Sequence, residues 1–246
     1  MNPNSGPGDA PLPGQDYVRE VPRLNSFANV RTVGYLAIDY CNKPLAQARA
    51  EVDLYAGWRR DHAIDGLYVQ GIFIDETHNH VLEARGHYLD DLGQFIKGMD
   101  GLAGERLVRQ PSLHGVCSFS PLRPPWLTHV KRVKVVHNPG TPPEGDLALF
   151  GSPDLVCVCE EPYQRYRNAE VQARLDAYRL EHAQTMFQIS GVPSGELTEA
   201  VRQLCGRGRY MFATELVENF YESFGASWPS FVVAVKEQSG GGRQEL

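Results

Sequence analysis

Six short apolar runs, each followed by a stretch with helical spacing, restrict this chain more than any other feature. The runs are Val30–Ile38, Gly66–Ile74, Val133–His137, Leu155–Cys159, Met186–Ile189 and Tyr210–Ala213. None alternates strictly between apolar and polar residues, so each fits a strand buried on both faces, as in a parallel sheet. Pro44 opens a helical stretch in which Leu45, Ala48, Val52, Tyr55 and Ala56 share one stripe. Tyr88, Leu89, Leu92, Phe95 and Ile96 repeat that spacing. Tyr163 to about His182 predicts a long charged helix, and Leu197, Ala200, Val201 and Leu204 another. Leu216–Phe224 and Pro229–Val235 follow the last run as further helical stretches. This alternation implies right-handed crossovers and an α/β fold, with a (β/α) barrel and an open doubly wound sheet as the two candidates. No GxGxxG follows a strand, so the dinucleotide-binding signature is missing.

The chain has 246 residues, close to the about 250 of a single α/β barrel. We read residues 1–237 as one barrel-like domain with an insertion at about 101–129, a Pro-rich segment without a clear period. Residues 238–246 are Gly-rich and expected to be a disordered tail. No stretch approaches the roughly 18 apolar residues of a membrane span, and the opening MNPNSGPGDAPLPG carries no visible signal peptide. A net charge of −6 disfavours nucleic acid as a partner and suits a neutral or cationic ligand. Five cysteines, Cys41, Cys117, Cys157, Cys159 and Cys205, form no CxxC pair. Cys157 and Cys159 are expected on one strand face, as buried thiols rather than zinc ligands.

Two of the runs end in paired acids. Gly71-Ile72-Phe73-Ile74 leads into Asp75-Glu76, and Val156-Cys157-Val158-Cys159 into Glu160-Glu161. Side chains at the carboxyl ends of barrel strands point into the mouth where active sites form. Two carboxyl groups there, one protonated and one ionised, are what acid/base cleavage of a glycosidic bond needs. Either pair alone also fits loop solvation or helix N-terminal charge. His78 and His80, with a nearby carboxylate and His137, have the makings of a metal set, yet are read as loop histidines, and no metal or cofactor is expected. Asn2 and Asn138 lie in turn-rich segments where an amide can bond sugar hydroxyls or simply serve the turn. Tyr35, Tyr40, Tyr68, Tyr163 and Trp126 offer flat faces for sugar rings, or core packing. Trp58 and Trp228 are read as packing residues.

Taken together, NPNSGPG, VGYLAIDY, DLYAGW, GIFIDE, HNPGT and FYESFGASW, in this order, resemble the spherulin-4 family. The likeness covers nearly the whole chain apart from the expected insertion. It implies a TIM-type (β/α)8 barrel and a retaining glycoside hydrolase acting on α-1,4-linked N-acetylgalactosamine regions of galactosaminogalactan-like polysaccharide. The family's essential acids match Asp75, Glu76 and Glu160. The resemblance implies Asp75 as nucleophile, Glu160 as general acid/base and Glu76 as the group that orients or tunes them, although the roles of Asp75 and Glu160 could be exchanged. Retention predicts carboxyl groups about 5–5.5 Å apart. Asn2, Tyr35, Asn138 and Tyr163 are the expected substrate contacts. Family members act outside the cell or at its surface.

Two features depart from the family pattern. Glu161 stands where a small or polar residue is usual. The NPNSGPG motif, which in the family follows the second barrel strand, starts here at Asn2. The chain is therefore expected to be an amino-terminally truncated barrel lacking its first strand and most of its second, with unpaired edges at Val30–Ile38 and Tyr210–Ala213. Its alternatives in function are a non-catalytic polysaccharide-binding wall or spore protein, an inactive truncated homologue, or a metal-dependent hydrolase.

Overall fold

A computed structural model describes residues 1–80, 83–102, 133–144, 150–178 and 181–240. All but the first two residues of the expected insertion's 101–129 span lie outside these, as do Cys117 and Trp126.

All six apolar runs form strands: β1 (Gly34–Ala37), β2 (Gly71–Asp75), β3 (Lys134–Asn138), β4 (Leu155–Pro162), β5 (Thr185–Ser190) and β6 (Tyr210–Ala213). They make one parallel sheet in the order β1-β2-β3-β4-β5-β6. The order advances one strand at a time and never reverses, so it has no switch point of the doubly wound kind. With right-handed crossovers, every connecting helix falls on the same face of the sheet. Among the described residues β1 and β6 end the sheet, but the edge of β1 is not left unpaired, contrary to expectation. The outer side of β1 is met by Met1, whose carbonyl accepts from the Tyr35 amide at 2.8 Å and the Tyr55 hydroxyl at 2.8 Å.

The helices are α1 (Gln15–Asn25), α2 (Leu45–Arg60), α3 (Glu83–Gly98), α4 (Tyr163–Tyr166), α5 (Ala169–Ala177), α6 (Leu197–Arg207) and α7 (Trp228–Gly240). Three differ from expectation. α1 was not anticipated, because Pro22 falls inside it and interrupts the pattern. The long helix from Tyr163 breaks into α4 and α5. Asn168 ends the first and caps the second, its side chain accepting from the Glu170 amide, a bond that competes with helix continuation. Residues 216–224 form turns rather than a helix, and α7 runs three residues into the expected tail.

Alternation along each strand sorts the side chains. Leu36, Ile72, Ile74 and Val135 pack with α2 and α3 residues such as Val52, Tyr55, Trp58, Leu89, Leu92 and Ile96, all essentially buried. Phe187, Ile189 and Ala213 pack with Val201, Leu204 and Phe231 in a second cluster. At about 25 cal/mol per Å² of apolar surface, these two clusters supply most of the drive for folding. The other sheet face carries Tyr35, Phe73, Asp75, Asn138, Glu160 and Gln188, and it lines a cavity.

Candidate active site

The cavity holds about 860 Å³ and is lined by Asp75 and Asn138, the last residues of β2 and β3. Asp75 and Asn138 are register partners on β2 and β3. That pairing sets the Asn138 amide directly between two acids. Its Nδ2 donates to Asp75 Oδ1 at 2.7 Å and to Glu160 Oε2 at 2.5 Å. A primary amide has two N–H groups, and both are used here. The two carboxylate oxygens are no farther apart than those two bonds laid end to end. That upper limit is well short of the about 6.5–9.5 Å spacing of inverting glycosidases.

Which acid of the second pair reaches the cavity is decided by a bulge. β4 pairs Cys157 with Met186 and Cys159 with Phe187, so Val158 is an extra residue. Val158 and Cys159 both lie in the helix-side cluster, while the Cys157 thiol meets the Gln188 side chain of the cavity face at 3.7 Å. The two cysteines therefore do not share a face, contrary to the alternation read from sequence. The same phase shift turns Glu160 inward. Glu161 points away, its carboxylate accepting from Arg165 at 3.1 Å. Burial holds the Cys157 and Cys159 thiols above their ordinary range, the second at about 12, which leaves both inert.

Glu160 is mostly buried, and burial raises its pKa above the ordinary carboxylate value; the Asn138 hydrogen bond opposes this, and the charges of Asp75 and Glu161 add to it. Asp75 is held by three donors: the Asn138 amide, the Tyr35 hydroxyl at 2.7 Å and the Glu76 backbone amide at 2.9 Å. Burial, then Asp75 itself, pushes the Tyr35 phenol up, so it stays a protonated donor. The arrangement offers one carboxyl group held by three donors beside one biased toward its acid form, a difference of environment that acid/base chemistry can use.

Other expected residues are distributed as follows. Asn2 lines the cavity, but its Oδ1 accepts from the Gly6 amide at 2.8 Å, so that oxygen serves the opening turn. Tyr35 lines it too, with its ring stacked on Phe73 at 6.3 Å. Asn138 is there as a clamp on the acids rather than a free sugar contact. Its Oδ1 accepts from the Gly140 amide at 3.2 Å, so all of its polar atoms are engaged. Tyr163 is not brought to the cavity. Its ring is buried among the α4–α6 residues, and its hydroxyl donates to Glu196 at 3.0 Å. Glu76 turns away from Asp75 through a left-handed backbone, φ 56°. Its Oε2 accepts from the Asp39 amide at 3.1 Å and its carbonyl from the Tyr40 amide at 2.9 Å. It thereby braces a turn in which Asp39, Tyr40 and Cys41 all have positive φ, a strained conformation of the sort that collects at functional sites.

The histidines do not converge. His78 and His80 lie against each other, with ring centroids 5.6 Å apart, and His80 Nδ1 lies 3.0 Å from Glu144. His137 faces the opposite side of β3, where burial and Lys97 lower its pKa to about 4. Sequence reasoning missed Tyr17, Phe73, Gln188, Tyr221 and Glu222, which line the cavity. Phe73 was within reach, because it stands two residues before Asp75 and so shares its face.

Comparison with known proteins agrees with this architecture. Crystalline Sph3 of Aspergillus clavatus, solved in complex with GalNAc, matches with a TM-score of 0.79 and 29% identity, covering 95% of this chain and 83% of Sph3. No curated protein matched this chain. The model of Spherulation-specific family 4 matches residues 1–235, so the chain belongs to the spherulin-4 family.

Proposed function

We propose that this protein is a retaining glycoside hydrolase that cleaves α-1,4-linked N-acetylgalactosamine regions of a galactosaminogalactan-like polysaccharide. The observation that carries this reading is the Asn138 amide donating one N–H to Asp75 and one to Glu160. In the first step the Asp75 carboxylate attacks the anomeric carbon, the glycosidic C–O bond breaks, and Glu160 gives its proton to the leaving oxygen. In the second, Glu160, now a carboxylate, takes a proton from water, whose oxygen displaces Asp75 from the anomeric carbon. The raised pKa of Glu160 supports it as the acid and Asp75 as the nucleophile.

The substrate class has two supports. The likeness to a GalNAc-bound structure favours an amino sugar. Among the described residues lining the cavity, the charged side chains are Asp75, Glu160 and Glu222, with no Lys or Arg, which favours neutral or cationic sugars over anionic ones. We also read the six-stranded arc as part of a TIM-type (β/α) barrel, supported by its one-directional strand order and one-sided helix layer. A polysaccharide substrate goes with action outside the cell or at its surface.

The test is incubation with N-acetylgalactosamine oligomers, with products resolved by mass and anomeric configuration by NMR. Wild type is expected to release shorter oligomers with retained configuration, and Glu160→Gln none. Binding without turnover by wild type would make the protein a polysaccharide-binding module instead.

A further inference from the structure

The segment 215–227, between β6 and α7, forms a loop whose two ends are fastened together. The Glu215 carboxylate accepts from the Ala226 amide at 2.5 Å, the Ser227 hydroxyl and the Thr214 hydroxyl at 3.2 Å. These bonds hold its pKa down at about 2, so the clasp is ionised at any ordinary pH. Gly225 lets the chain pass over it. Its φ is 68°, and a Cβ there would lie 2.6 Å from Glu215 Oε1. The base of the loop is docked on the end of β5 by the Gly191 amide donating to Leu216 and the Val192 amide donating to Thr214.

At the far end, Tyr221 and Glu222 line the cavity that contains Asp75 and Glu160. Tyr221 remains 66% exposed although its ring lies 3.9 Å from that of Phe220. A large aromatic left uncovered at the mouth of a polar cavity has no packing role there to explain it. Its flat apolar face and hydroxyl edge suit the C–H face and hydroxyls of a pyranose.

We propose that the loop 215–227 is a binding wall for the polymer. In it Tyr221 is the stacking platform for a sugar unit beside the one being cleaved, and Glu215 is the positioning residue that holds Tyr221 in place. The proposal rests on the hydrolase reading for the identity of the sugar. It requires Tyr221 to act on affinity alone, since its ring makes no bond to either acid.

Kinetics and binding of N-acetylgalactosamine oligomers, followed in parallel by turnover and by calorimetry, test it. Tyr221→Ala is expected to raise KM roughly five- to tenfold with kcat unchanged. Tyr221→Trp and Tyr221→Phe should keep KM near wild type. Glu215→Ala removes the acceptor for the Ala226 amide and for the Ser227 and Thr214 hydroxyls at once, and should raise KM in the same direction without lowering kcat. An unchanged KM in Tyr221→Ala, with wild type active, overturns the platform and leaves the hydrolase reading intact. Wild-type binding without turnover, lost in Tyr221→Ala, overturns the hydrolase reading and upholds the platform. Neither binding nor turnover by wild type overturns both.

Discussion

Replacing Asn138 with Ala separates two roles an asparagine can have in a sugar site. If its amide met the substrate, the loss would appear in KM. Its hydrogen bonds here go instead to Asp75 and Glu160. Each is a hydrogen bond to an acid, of a type that contributes about 1.5–3 kcal/mol when the acid is charged. Without them the two carboxyl groups face each other with no donor between, and their spacing is free to change. If roughly 3–4 kcal/mol of that alignment is realised in the transition state, kcat falls by about 10²- to 10³-fold, while KM changes less than about threefold. The pH dependence moves as well. The Asn138 bond favours ionised Glu160, whereas burial and the Asp75 charge favour the acid form. Removing the bond leaves the latter two unopposed, so the limb that reports loss of the Glu160 proton shifts to higher pH. The assay is kcat and KM on N-acetylgalactosamine oligomers across pH, with thermal melting to confirm folding. A KM raised tenfold or more with kcat and the pH limb unchanged would refute the clamp.

Three further outcomes follow from the same geometry. Glu160→Gln is expected to lower kcat by about 10³-fold or more, as loss of a general acid does, while Glu161→Gln stays within about threefold; equal losses would contradict the bulge at Val158. Tyr35→Phe removes one of three donors to Asp75 but keeps the stacked ring, so kcat should fall about tenfold with little change in KM; an unchanged kcat would show that the Tyr35 hydroxyl contributes nothing to the nucleophile. Because burial raises the Glu160 pKa above its unfolded value, the folded state binds that proton more tightly, and stability declines as pH rises from the unfolded value through the folded one. Glu160→Gln should therefore melt higher than wild type at pH 7, by about 2–4 °C for each kcal/mol relieved, with the gain vanishing below the ordinary carboxylate range; a gain independent of pH would contradict the assignment.

Much of the fold was legible in the chain. Each apolar run became a strand because a short apolar segment bounded by turns suits a sheet strand covered by helices, and that demand is local. The helix after Pro44 was legible for a similar reason. The long helix from Tyr163 was misjudged because helical spacing continues through Asn168 while its capping bond ends the helix. Asp75 was legible as a strand-end acid. Its neighbour Glu76 looked equivalent in sequence, yet consecutive side chains on a strand cannot both face the cavity, and the positive φ at Glu76 carries it to the Asp39 turn.

The sequence by itself determined that six strands would alternate with helices and that two of the apolar runs would lead into paired acids. Both are properties of short segments, set by hydrophobic pattern and side-chain type. Only the tertiary structure decided that Glu160 and not Glu161 enters the cavity, that Asn138 joins the acids, that Tyr163 is core and that Tyr221 lines the cavity. Those outcomes depend on register between strands far apart in the chain, and one extra residue in β4 reverses the facing of everything after it.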